Sequence, residues 1–193
     1  MDKIKSAYEK ALERVRAMNL DQVDLSGMEF EPKGSQAAAR FLREKNFDLL
    51  GELNRYPEDV RGYVRKGMEE TLLQNIQLPA DENTYETNRR AMEGLLALKK
   101  NKSALKQVFS ELEYLFNYYT RAFEHTYANL KESFAARLEQ AQEALQRQLG
   151  VKVRVDVERH PAFLEEWLRV QGELNGQYET ILAEQKEKIR SIP

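Results

Sequence analysis

Residues 95–149 read LLALKKNKSALKQVFSELEYLFNYYTRAFEHTYANLKESFAARLEQAQEALQRQL, with neither proline nor glycine anywhere in the stretch. Within it Leu105, Phe109, Leu112, Phe116, Tyr119 and Phe123 recur at alternating four- and three-residue steps, the spacing that lines one face of a helix. The stretch is therefore one very long helix or two laid nearly end to end. The polar run Lys99-Lys100-Asn101-Lys102-Ser103 is the place for a break, with Ser103 as N-cap of a helix that reaches Leu149. Such a helix is roughly 70 Å long at 1.5 Å per residue. Tyr114, Phe116, Tyr118, Tyr119 and Phe123 surround its first half, which predicts contact with several neighbouring helices. From Leu130 through Phe134, Leu138, Ala141, Leu145 and Leu149 only a narrow stripe remains, suited to one partner helix.

On the far side, Gly150 fits the left-handed position that ends a helix. Then Val151, Val153, Val155 and Val157 alternate with Lys152, Arg154 and Asp156, the one strict period-two run in the sequence and a strand signal. An isolated strand must pair its backbone groups. Three partners are open: the weakly alternating Met28-Glu29-Phe30-Glu31, the same strand of another copy, or a different protein docking by strand addition. His160-Pro161 opens a last helix whose seam is Phe163, Trp167, Val170, Leu174, Tyr178 and Ile181. A short connection between two long helices makes an antiparallel hairpin, with the valines near its tip.

On the near side, Ile4, Tyr8, Ala11, Val15 and Met18 predict an amphipathic helix over 4–18. Residues 20–34, with Gly27, Pro32 and Gly34, read as a loop, and Ser35 as the N-cap of a helix over 35–50. Pro57-Glu58-Asp59 starts a helix over 57–78, ended by Pro79, and Asp81 precedes a helix over 82–100.

The opening Ile4-Lys5-Ser6-Ala7-Tyr8-Glu9-Lys10-Ala11-Leu12-Glu13, with the closing helix bearing Leu174, Tyr178, Leu182 and Lys186, resembles a functionally uncharacterised family of short bacterial helical proteins. That resemblance implies a helical fold and assigns no activity and no functional residue.

Composition narrows the chemistry. The absence of cysteine removes disulfides, thiolate nucleophiles and cysteine-held metals, and suits a cytoplasmic protein. The 30 basic and 32 acidic residues nearly cancel, so no whole-chain field draws in nucleic acid or anionic lipid. Neither a signal peptide nor a membrane span is legible. A carboxylate-bridged di-iron centre needs Glu-x-x-His, but Ala122 precedes His125 and Val157 precedes His160 at that spacing. Gly62 and Gly67 have the spacing of a phosphate loop but are followed by Met68-Glu69, within a helical pattern. Gly172 and Gly176 have the spacing that lets helices approach closely, or that marks a kink. No catalytic residue, metal ligand or cofactor site is singled out.

These readings predict a mainly α protein: a multi-helix bundle with a long helical hairpin and one short β-strand near its tip. A single domain over 1–193 is expected, with residues 1–127 as bundle and 128–193 as arm. The expected role is non-enzymatic, an interaction or assembly protein that forms homo-oligomers through its long helices and takes a protein partner at the valine strand. Val151, Val153, Val155, Val157, Phe163 and Trp167 are the candidate interaction residues. The alternative is a polyanion or nucleic-acid binder using Lys99, Lys100, Lys102 and Lys106, disfavoured by the balanced charge; the third is an enzyme of unrecognised class.

Overall fold

The computed structural model describes residues 25–150 and 156–193, and the chain divides into two compact units between Leu72 and Leu73. Among the described residues there are six α-helices, one 3-10 turn and no strand, so the class is all-α. The helix expected over 4–18 lies outside them.

The N-terminal unit contains α1 (Leu25–Arg43), α2 (Leu49–Asn54) and most of α3 (Glu58–Gln74). The expected loop over 20–34 is corrected from Leu25 onward: residues 25–34 are helical, Met28–Glu31 is not extended, and Ser35 sits inside α1 rather than capping it. Gly34 serves packing. A Cβ built on Gly34 would lie 1.9 Å from the Val64 carbonyl oxygen, and one on Gly67 would lie 2.0 Å from that of Glu31. The two helices thus approach backbone to backbone at a reciprocal pair of glycines. Ser35 Oγ lies 3.2 and 3.3 Å from the carbonyl oxygens of Glu31 and Gly67, bridging the same crossing. Ala37, Ala38, Phe41, Leu49, Leu53, Val64, Met68 and Leu72 are buried. The helix expected over 35–50 is instead the end of α1 and the short α2, whose cap is Asp48, its Oδ1 accepting from Gly51 N at 2.9 Å.

The C-terminal unit holds α4 (Glu82–Leu98), α5 (Lys102–Leu149), a 3-10 turn (Val157–Arg159) and α6 (Pro161–Ser191). Asp81, expected just ahead of α4, caps it, accepting from Thr84 N and Oγ1, each at 2.7 Å. The break in the long proline-free stretch falls at Lys99–Asn101, but the cap is Asn101, whose Oδ1 accepts from Ala104 N at 3.1 Å, and not Ser103. Gly150 ends α5 with φ 68°, the left-handed conformation its Cβ-free backbone permits. Leu105, Val108, Phe109, Leu112, Leu115, Phe116 and Tyr119 face the core together with Ala91, Leu95 and Leu98 of α4. Tyr114 and Tyr118 do not: they are 68% and 65% exposed, so the aromatic half of α5 is buried on one side only.

Val157 opens the 3-10 turn, which corrects the strand at that position; Asp156 Oδ1 caps the turn by accepting from Glu158 N. Val151, Val153 and Val155 lie outside the described residues. His160 Nδ1 accepts from Ala162 N, and Pro161, which has no N–H to satisfy, occupies the first position of α6.

Candidate functional site

α5 and α6 run antiparallel, since contacts climb one helix while descending the other: Glu111 pairs with Lys188, Tyr119 with Tyr178, Tyr127 with Phe163, and Phe134 with His160. The seam is a ladder of rings. Tyr119 meets Tyr178 at 5.3 Å, Phe123 and Tyr127 clasp Trp167 at 5.0 and 4.9 Å, and Phe134 meets Phe163 at 5.5 Å, mostly edge to face. Ion pairs flank it, Arg137 with Glu166 at 2.7 Å and Lys131 with Glu158 at 2.5 Å. Tyr127 Oη also donates to Glu158, and the two donors hold that carboxyl below its ordinary range, Lys131 contributing most.

Phe163 and Trp167, expected as interaction residues, sit in this seam, the first fully buried and the second half-buried. Val157 is half-buried. The lysines separate. Lys99 is only 6% exposed, and its Nζ donates to the carbonyl oxygens of Ile192 at 2.6 Å and Arg190 at 3.3 Å, closing the end of α6 where the helix dipole favours a cation. The backbone N–H groups of Lys100 and Asn101 donate to Pro193 O, so this helix start is occupied by the chain itself. Lys100, Lys102 and Lys106 are exposed. His125 is exposed beside Asn129, and His160 is a cap. Among the described residues no three His, Asp or Glu side chains converge as a metal-binding group would, and no helix is long and apolar enough to cross a membrane.

Two features of the C-terminal unit remain. The first is the outer flank of α6. Leu164 and Leu168 are 46% and 67% exposed, and one and two turns further along the same four-residue row stand Gly172 and Gly176, each with nothing among the described residues within 4 Å of where a Cβ would be. The row has two knobs followed by two holes.

The second is a cleft of about 450 Å³ between residues 74–80 and α6. One wall is held by Asn88, which is buried and missed by sequence reasoning: its Oδ1 accepts from Gln77 N at 2.8 Å and its Nδ2 donates to Gln77 O at 2.7 Å. The other wall is α6, with Gln171, Asn175, Glu179 and Lys186. Tyr119 Oη donates to Asn175 Oδ1 at 2.9 Å; burial and then the Glu179 charge raise its pKa. Lys186 is half-buried, and burial followed by the Arg190 charge lowers its pKa.

The model of a family of unknown function, DUF6657, matches residues 50–191. The chain belongs to DUF6657. Comparison with curated proteins and with solved structures gives no match. The DUF6657 region starts inside α2 and takes in the seam, the α6 flank and the cleft, leaving out α1.

Proposed function

We propose that the protein is a non-enzymatic assembly component that pairs with a second copy of itself through the outer flank of α6. The observation that carries this reading is the row of Leu164, Leu168, Gly172 and Gly176, because it is complementary to itself when reversed. An antiparallel two-fold pairing centred near Val170 sets Leu164 opposite the partner's Gly176 and Leu168 opposite the partner's Gly172. Each leucine then fills the space a glycine leaves, and both contacts occur twice, as an isologous interface requires. Exposed leucines in a row also gain most from being covered.

Light scattering on the intact chain at micromolar concentration is expected to give the mass of a dimer, and Leu168→Lys that of a monomer with the helix signal retained. A wild-type mass that stays monomeric across dilution and concentration would end this reading.

A further inference from the structure

We propose that the cleft between residues 74–80 and α6 is a docking groove for an extended segment of a partner protein, with an acidic side chain of that segment seated against Lys186. This goes beyond self-association: the groove uses the residues of α6 beside the Leu164–Gly176 row and extends past that row to Lys186. The groove has the dimensions of a strand: Gln171 and Lys186 stand about 22 Å apart along the helix at 1.5 Å per residue, the span of six or seven extended residues at about 3.3 Å each. Its floor, Ile76, Leu78 and Leu182, is apolar.

The walls carry the chemistry of a peptide. Carboxamides donate and accept as backbone amides do. The side chains of Gln77 and Gln171 have no hydrogen-bond partner among the described residues, and both line the groove. Asn175 has its oxygen occupied by Tyr119 Oη, which fixes the rotamer and leaves its N–H donors for a peptide carbonyl. Asn88 keeps the opposite wall in place through both backbone groups of Gln77, so the groove is formed before anything enters it.

Charge sets the direction of the segment. Lys186 is half-buried and makes neither a hydrogen bond nor an ion pair among the described residues, while Arg190, one turn on, adds to its positive potential. A partly desolvated cation without a counter-charge among the described residues is the group a ligand carboxylate relieves. Glu179, two turns back on the same wall, repels an acidic group from the middle of the groove. The acid therefore belongs at the Lys186 end, and a polyanion, which would meet Glu179 wherever it lay, does not suit the site.

The test is to pan the full-length protein against a random heptapeptide phage library and to measure the enriched sequences as fluorescein-labelled peptides by anisotropy. Enriched peptides are expected to share an acidic residue near one end, to lose about tenfold or more in affinity for Lys186→Glu, and to recover when that acid is exchanged for lysine. Circular dichroism checks that the variant folds; if it does not, Lys186→Met, which keeps the aliphatic stem, takes its place with the same tenfold loss expected. A library with no enrichment, or enriched peptides that bind the Lys186 variant as they bind wild type, would overturn the proposal. The mass by light scattering should stay the same in Lys186→Glu, so failure here and failure of the self-association reading are told apart.

Discussion

Asn88 shows how much one buried amide can organise. Both of its polar atoms are spent on the backbone of Gln77, so alanine at this position leaves an N–H and a carbonyl without protein partners and a cavity beside them. Asn88→Ala is expected to lower stability by about 1–3 kcal/mol in chemical denaturation, the cost of orphaning part-buried polar groups. At the opposite end of the unit, Glu158 gives a pH signature. Its folded pKa lies below the ordinary 4.5 because Lys131 and Tyr127 favour the charged form, so its contribution is present above that value and disappears as pH falls through the depressed folded pKa. Lys131, raised by the same pair, keeps its contribution below 10.5 and loses it as pH climbs through its own folded pKa. Glu158→Gln should therefore melt below wild type at neutral pH, and the gap should close in acid, as pH falls through the depressed folded pKa of Glu158, and at strongly alkaline pH. A gap independent of pH would remove the ion pair as its cause.

At the scale of elements, the reading of the sequence divides along physical lines. Where apolar spacing and capping agreed, as from Asp81 through Gly150 and from His160 onward, the helices were legible to within a few residues. α1 was not, because Gly27, Pro32 and Gly34 look like punctuation while the contact that uses Gly34 lies on α3, some thirty residues away. Tyr114 and Tyr118 misled for a related reason, since aromatic residues placed round a helix carry no label saying which side is covered. The crossing of α1 on α3 makes a clean pair of expectations. Gly67→Ala must push a Cβ into the Glu31 carbonyl and should cost about 1–3 kcal/mol. Gly62→Ala, on the same helix but with open space around it, should instead gain up to about 1 kcal/mol from helix propensity. Urea titrations of the two variants report both signs, and equal effects would mean that the glycines do not differ in role.

At the scale of the molecule, part of the proposed self-association surface is legible in the sequence. The spacing of Gly172 and Gly176 is compatible with close helix approach, but whether a helix of the same chain lies there is a question only the fold answers, and among the described residues none lies within 4 Å of either. The cleft was invisible to the sequence because its parts, Gln77, Asn88, Tyr119 and Asn175, meet through tertiary packing and share no spacing. The two glycines also supply the sharpest test of assembly. In an isolated hairpin, Gly172→Ala and Gly176→Ala remove backbone entropy from the unfolded chain at exposed helical positions, so each should stabilise by about 0.8–1 kcal/mol. In the antiparallel pair, the added methyl groups fill the holes that the partner's Leu168 and Leu164 enter. The double variant is thus expected to melt higher at high dilution and yet to have the mass of a monomer at concentrations where the proposed pairing makes wild type a dimer. Stability and association moving in opposite directions is an outcome that a general loss of folding cannot produce. A double variant that keeps the wild-type mass would show that the flank of α6 is not where the copies meet.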